Sequence, residues 1–302
     1  MIRALRAEDT PAVVDLYDRL AADGTGGPLS AAAWERFLGF EVNQGGVGFR
    51  VAEEDGRLIG LATSSLRSPE GTPLRHFRVL VDLTRRREGV GGRLLWAITE
   101  LDQALEAVTL QTLCPEAWAT GRRFVEALGF AVVEEELEMR CEEAPARRSR
   151  VVEGLRVEPV AEPSAVADAV AALHNLAYAE DISFVPFTAP GMAELLVDAE
   201  LWVARLDGAL VGYAHLEADR GATWIESIVV DPAAQGKGVG QALGDAVLRQ
   251  ILDRGHAARL QVSSVNAGAR RLYARLGFTL VARTYRYRAP WVAVRAALAG
   301  RR

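Results

Sequence analysis

The sequence predicts a mixed α/β protein in which one fold, built on a mixed α+β sheet, occurs twice in tandem. Three observations carry that prediction. Four segments recur in the same order, at a spacing close to one domain length. In each half a β-branched run leads into a glycine-spaced loop and then a helical pattern. Each half also has an Asp-Gly pair between alternating apolar residues, which favours a hairpin closed by a type I′ turn.

The repeat can be read residue by residue. Ile2-Arg3-Ala4-Leu5-Arg6 parallels Leu155-Arg156-Val157-Glu158-Pro159. Val51-Ala52, Asp55-Gly56, Leu58 and Gly60 parallel Val203-Ala204, Asp207-Gly208, Leu210 and Gly212. Val81-Asp82 with Arg86 and Gly89-Val90-Gly91 parallels Val230-Asp231 with Gln235 and Gly238-Val239-Gly240. Arg122-Arg123 with Leu128-Gly129-Phe130 parallels Arg270-Arg271 with Leu276-Gly277-Phe278. A chain of 302 residues has room for about two such domains.

Within a copy the elements follow from local signals. A short strand (2–5) leads into a helix whose first turn is acidic and carries Pro11, both start signals. A second helix is expected around 30–40, then a hairpin over 48–53 and 57–63. A strand (77–81), the glycine loop, a helix (89–103), a strand (108–113), a helix (119–128) and a last strand (131–139) complete the copy. The expected domains are 1–143 and 155–288, joined by a linker at 144–154. The stretch around the linker is charged, lacks periodic apolar residues and contains Pro145. Residues 289–302 read as a short amphipathic helix, with Trp291, Val292, Val294, Ala297 and Leu298 lining one side. Packing on its own domain is the expectation; the other domain or a second chain is the alternative.

Composition narrows the function. Half the residues are apolar and a quarter charged, as in ordinary globular proteins. A net charge of −5 argues against a general nucleic-acid binder. No apolar run reaches membrane-spanning length, and no apolar stretch follows a basic start. The expectation is a cytoplasmic protein, monomer or homodimer, without nucleic-acid or membrane partners. Cys114 and Cys141 have no metal-type spacing, so both read as small apolar side chains or surface thiols, and no metal site is expected.

The chemistry concentrates in residues 224–244. Ile228, Val229 and Val230 suit a buried strand. Gln235, Gly236, Lys237, Gly238, Val239, Gly240 and Gln241 come next. The glycines let a ligand approach the main chain, and the helix starting there offers free N–H groups and its positive dipole end. That combination holds phosphate. The spacing is neither a P-loop nor the six-residue dinucleotide fingerprint.

Gln/Arg-x-x-Gly-x-Gly/Ala after a strand ending Val-Asp-Pro resembles the acyl-CoA loop of the GNAT N-acetyltransferase superfamily. A second block at residues 260–278, LQVSSVNAGARRLYARLGF, resembles the strand and helix that the superfamily places after its coenzyme helix. The resemblance implies two tandem GNAT acyl-CoA N-acyltransferase folds, in a layout similar to mycothiol synthase. It implies acetyl-CoA as cosubstrate, with its pyrophosphate on the loop amides, its pantetheine arm along Ile228, Val229 and Val230, and Asn266 and Arg270 on the later helix nearby. Tyr273 then occupies the place of the general acid that protonates the leaving thiolate. A phenol of pKa about 10 is a sensible donor to a thiolate. Packing beside Leu272 and Leu276 is the structural alternative.

Glu226 is the base candidate. On a strand of period two it should share a face with Trp224 and Ile228, and proximity to Trp224 could raise its pKa. An anchoring role is the alternative. His174 and His215 are runners-up outside the family pattern. The first copy departs at these positions: Val125 stands for Tyr273, Phe77 for Glu226 and Trp118 for Asn266. It keeps Val79, Leu80 and Val81 before a loop of Arg86, Arg87, Glu88, Gly89, Val90, Gly91 and Gly92, a second possible CoA site without transfer chemistry or a degenerate copy kept for packing.

The acceptor region of the second copy is expected at 174–192, aromatic and with Glu180 and Asp181, which suits a small cationic amine. The leading function is transfer of acetyl to a primary amine of a small molecule. A protein N-terminal acetyltransferase, a CoA-binding sensor and a tRNA-dependent aminoacyl transferase are the alternatives.

Overall fold

The structure is a computed structural model that describes residues 1–67, 71–103, 107–143, 151–179, 186–197, 199–219 and 221–301. In chain order the first copy contains β1 (Ile2–Ala4), α1 (Thr10–Leu20), α2 (Ala31–Gly39), β2 (Arg50–Glu54), β3 (Arg57–Arg67), β4 (Leu74–Val81), α3 (Val90–Thr99), β5 (Thr109–Pro115), α4 (Ala119–Glu126) and β6 (Ala131–Cys141). The second contains β7 (Leu155–Val160), α5 (Ala167–Ala177), α6 (Ala189–Leu195), β8 (Glu200–Leu206), β9 (Ala209–Asp219), β10 (Ala222–Val230), α7 (Val239–Asp253), β11 (Ala257–Ser263), α8 (Ala267–Arg275) and β12 (Thr279–Pro290), followed by α9 (Trp291–Ala299).

Local sequence explains many of these elements. Asp55 and Gly56 both have positive φ (49° and 75°), as do Asp207 and Gly208 (50° and 87°). A type I′ turn requires this at both central residues, and it sets the registers of β2 on β3 and β8 on β9. Ser30 caps α2 by accepting from the Ala33 amide. Pro11 sits in the first turn of α1, where no N–H is missed.

The chain forms two compact units, but their membership differs from the boundaries expected at 143 and 155. One unit is Met1–Val133 with Tyr285–Arg302; the other is Glu134–Thr284. In the first, the strand order is β1-β2-β3-β4-β5 and then the end of β12; in the second it is β6-β11-β10-β9-β8-β7. Each copy thus completes its sheet with the other copy's last strand. Leu137, Met139 and Cys141 of β6 bury against Leu260 and Val262 of β11, while Tyr287 and Ala289 of β12 bury with Leu110 of β5. The physical reason is the duplication itself. Two homologous sheets offer equivalent edges, so the alternation of a terminal strand fits either, and exchange of identical elements costs little. Residues 144–150 of the expected linker lie outside the described residues.

Both faces of each sheet are covered. In the first unit, α1 and α2 pack Val13, Leu16, Leu20 and Trp34 on Leu61 and Leu80, and α3 and α4 pack Leu94, Leu95 and Val125 on the opposite face. In the second, α5 and α6 cover Tyr213 and Val229, while α7 and α8 cover Ala214, Ile225 and Leu260. Against the expectation that it packs on the copy it follows, the tail helix α9 belongs to the first unit, where Val294 and Leu298 are buried and Trp291 donates to the Thr99 carbonyl at 2.8 Å. Val292 is 66% exposed, so it leaves the expected stripe. Cys114 and Cys141 are both buried, and burial pushes the Cys114 thiol up to about 11, which makes it inert at neutral pH.

Candidate active site

In the second unit the loop between β10 and α7 has the form phosphate binding needs. Gly236 and Gly238 have φ of 74° and 90°, in the left-handed region that favours glycine. Gly238 is the N-cap of α7, and no side chain caps the helix, so its first amides keep their donors. A Cβ on Gly240 would stand 3.4 Å from both Leu272 and Val230, so glycine there lets α7 approach α8 and β10 closely. Val239 can contribute only main chain, because its side chain is buried in the core. Lys237 is exposed beside these amides. Gln235 Nε2 donates to the Val230 carbonyl at 3.3 Å, and Gln241 Nε2 to Asp245 Oδ1 at 3.4 Å. Asn266 caps α8 by accepting from the Ala269 amide at 2.9 Å, and Arg270 braces the same turn by donating to the Ser264 carbonyl at 3.0 Å.

Next to this loop the sheet opens. The parallel pairing of β10 with β11 runs only from Ala222↔Ala257 to Ile225↔Leu260. Beyond that, Ser227–Val230 has no partner on the β11 side among the described residues, although both strands continue. The pairing of β10 with β9 shifts register between Ile225 and Ser227, so Glu226 is the extra residue of a β-bulge. Bulge and splay leave main-chain groups of residues 227–230 without a β11 partner among the described residues.

The bulge corrects one expectation. Trp224, Glu226 and Ile228 do not share a face. Ile225, Ile228 and Val230 all pack toward α7, and Trp224 lies opposite Glu217, on the face of Tyr213 and Val229. Trp224 instead stacks on Arg259 at 4.6 Å. Glu226 is exposed, yet enough protein surrounds its carboxyl that partial desolvation, and then the Glu217 carboxylate, raise its pKa. The direction matches the one expected; the second cause is Glu217 rather than Trp224.

Tyr273 is buried on α8, edge-on to Phe278. Burial, and after it the Tyr178 phenol, hold its pKa above the ordinary tyrosine value, so it stays protonated at neutral pH. Tyr178 packs with the α5–α6 cluster, and Tyr273 with the α7–α8 cluster on the other face. The two phenols nonetheless act on one another electrostatically. Tyr273 makes no hydrogen bond among the described residues, which leaves its hydroxyl available to a ligand.

On the α5 face, sequence reasoning missed Tyr213 and Glu217. Tyr213 hydrogen-bonds His174 Nδ1 and the Ser227 hydroxyl, and His174 stacks on Tyr178 with ring centroids 4.6 Å apart. Burial takes His174 down to about 4, so it is neutral and held by Tyr213. His215 is 3% exposed, its pKa is also lowered by burial, and its Nε2 lies 3.5 Å from Glu217. Both histidines therefore line the site as neutral groups. The alternation Tyr213-x-His215-x-Glu217 on β9 was the available signal. Glu180 and Asp181 lie outside the described residues.

The first unit carries a counterpart. Arg87 and Gly89 take the left-handed positions, with φ of 71° and 76°, and β4 pairs with β5 only over Leu74–His76 before parting. A cavity of about 1110 Å³ tracks this gap, lined by Val79, Leu80, Val81, the whole loop from Arg86 to Gly92, Trp118 and Phe124, and by Leu298 and Arg301 from the chain's far end. Arg86 is tied to Asp23 at 2.5 Å. The chemistry of the second unit is absent. Val125 is buried where a phenol would stand, Phe77 is buried where Glu226 would be, and β3 pairs with β4 without a bulge. Trp118 Nε1 donates to the Gly24 carbonyl at 3.2 Å and stacks on Arg78 at 5.2 Å, filling the end of the gap.

Comparison with known proteins agrees with this geometry. The model of the Acetyltransferase (GNAT) family matches residues 168–278, inside the second copy. A mycothiol acetyltransferase of Clavibacter michiganensis subsp. michiganensis is 30% identical over 316 aligned positions, which cover 95% of this chain and 94% of that protein. Among solved structures, a GCN5-related N-acetyltransferase from Sphaerobacter thermophilus aligns with a TM-score of 0.72 and 22% identity, covering 96% of this chain and 95% of that one. A tandem GNAT protein from the clavulanic acid biosynthesis pathway gives 0.71 and 20%, covering 96% and 98%. These two structural likenesses concern the fold.

Proposed function

Because the chain belongs to the acetyltransferase (GNAT) family, we propose that its second unit moves the acetyl group of acetyl-CoA directly to a primary amine of a small molecule. The observation that carries this reading is the parted β10–β11 pair, with glycine loop, bulged Glu226 and Tyr273 around it. The mycothiol acetyltransferase relative is named for small-molecule chemistry, which favours such an acceptor over a protein terminus. No helix among the described residues is long and apolar enough to cross a membrane.

The roles follow from position. The loop amides and the α7 N-terminus hold the pyrophosphate, and the free edge at residues 227–230 holds the pantetheine arm. Acetyl-CoA supplies the thioester when bound. A main-chain N–H at the splayed edge polarises its carbonyl. Glu226 and Glu217 attract the cationic amine, and Glu226 accepts its proton directly or through water. Tyr273 delivers a proton to the leaving sulfur.

An amine panel read by CoA thiol release tests the reading; no release with any amine would leave a coenzyme-binding protein instead. The pH profile tests the base. A carboxyl with a raised pKa is protonated as pH falls, so kcat/KM should decline on the acid side at a pH above the ordinary glutamate range. Glu226→Gln should remove that limb and lower kcat by about 10²-fold or more. A limb that survives the substitution assigns the base elsewhere.

The first unit, on this reading, binds CoA without transferring acetyl, in the cavity along its glycine loop. Equilibrium dialysis should count two CoA per chain. Gly238→Asp forces a side chain into a φ of 90° and 3.1 Å from Val152, beside a pyrophosphate it repels. It should remove one equivalent and leave the other. A chain with a single equivalent, abolished by Gly238→Asp, would make the first copy purely structural.

A further inference from the structure

The sheet of the first unit carries a basic plate that the acetyl-transfer chemistry does not use. Leu61 and Leu80 are register partners that pack under α1 and α2. β3 and β4 continue from them without a shift, so alternation puts Thr63, Ser65, Arg67, His76 and Arg78 on that same face. All five are half-buried, neither sealed in the core nor free in solvent. Ser65 lies opposite His76, with Arg67 and Arg78 at the two ends of the row.

The plate is wired from one side. Arg288 Nε donates to Gln111 Oε1 at 2.5 Å, which fixes the amide and turns its NH₂ toward His76, 3.2 Å away. His76 therefore accepts at that nitrogen and is neutral. Burial, and then Arg67, Arg286 and Arg288, take it down to about 4. The field over this face is positive. No carboxylate pairs with Arg67 or Arg78 among the described residues, and the Nε of each is buried without a hydrogen-bond partner. Arg78 is held at its other end, where Nη2 donates to the Thr25 carbonyl at 3.0 Å and the guanidinium lies over Tyr17 and Trp118. Arg67 makes no hydrogen bond there at all. Guanidinium groups drawn partly out of water without a counter-charge are costly.

The second unit sets the contrast. Aligning Gly60 with Gly212 puts His215 and Glu217 where Thr63 and Ser65 stand. That face is acidic, with Glu217 and Glu226 acting on one another. The duplicated face has thus reversed its charge. An acidic plate suits a cationic amine; a basic plate of the same construction suits an anion.

We propose that this face of the first unit binds a small oxyanion, a carboxylate or a phosphate ester, between Arg67 and Arg78 over Ser65 and His76. The site is distinct from the glycine loop and goes beyond the acetyl-transfer reading. Calorimetric titration of the full chain with citrate and with inorganic phosphate tests it, with CoA saturating so that both loops are blocked. One of the two anions should bind saturably, and which one does so identifies the oxyanion. Arg67→Gln and Arg78→Gln should each weaken it by about tenfold or more, while Arg67→Lys retains part of the affinity. Arg36→Gln, at an exposed position on α2, should change nothing. An unchanged circular-dichroism spectrum, with CoA binding retained by the second unit, shows that each variant is folded. Binding that vanishes when CoA is added, that ignores Arg67→Gln, or that fails to saturate with either anion overturns the proposal.

Discussion

Tyr273→Phe should leave CoA binding unchanged and lower kcat by about 10²–10⁴-fold. The substitution removes one oxygen from a side chain that is otherwise packed against Phe278 and Leu276, so shape and core are kept. What is lost, on the proposed function, is the proton donor to the leaving sulfur, a phenol whose pKa burial has raised so that it stays protonated until a strong base forms beside it. The departing thiolate is such a base. The loss should appear in kcat and kcat/KM alike, as expected for an interaction made only in the transition state. A leaving group of low basicity discriminates further. A thioester of an acidic thiol needs little protonation, so the variant should approach the parent's rate with it. A change confined to KM would make Tyr273 a binding residue and move the acid to another group, with Tyr178 the first to examine because its phenol already acts on that of Tyr273.

What was legible in the sequence was local. The Asp-Gly turns, the glycine loop and the helix caps are each written within a few residues, and the repeat doubled every such signal. The features that were not legible depend on a partner strand. A period-two reading of β10 put Trp224 and Ile228 on one face because nothing in residues 224–230 announces a bulge; it exists only in the register with β9. The exchange of β6 and β12 was hidden for a related reason. Their alternation specifies burial on one face of a sheet, and the chain contains two such sheets. Tyr213 and Glu217 sit in an ordinary-looking strand and gain significance only when His174 and Glu226 arrive from other elements. The family resemblance supplied Tyr273 and the loop, but the basic plate on β3 and β4 belongs to the copy that departs from the family pattern.

Asp102→Ala should destabilise the first unit by about 3–5 kcal/mol. Asp102 is fully buried in the turn after α3 and takes two hydrogen bonds from Arg75, at 2.5 and 2.6 Å; Arg75 is itself 6% exposed. The guanidinium also donates to Ser64 Oγ at 3.1 Å, and Ser64 donates to the Gly48 carbonyl at 2.8 Å. Truncating the carboxylate strands a buried cation without its counter-charge. Replacing both partners by apolar residues, as in Arg75→Met with Asp102→Leu, should restore most of the loss, since the pair's own desolvation cost disappears with it. Two units in one chain make a single unfolding midpoint ambiguous, so the readout is hydrogen exchange at β3, β4 and β5. A loss below about 1 kcal/mol would mean that solvent reaches the pair. Position gives the pair its functional weight. Arg75 lies in the short stretch, Leu74–His76, where β4 is still paired with β5, immediately before the strands part. If the first unit binds CoA in this gap, as proposed above, the single substitution should also weaken that binding, and the double apolar variant should recover it.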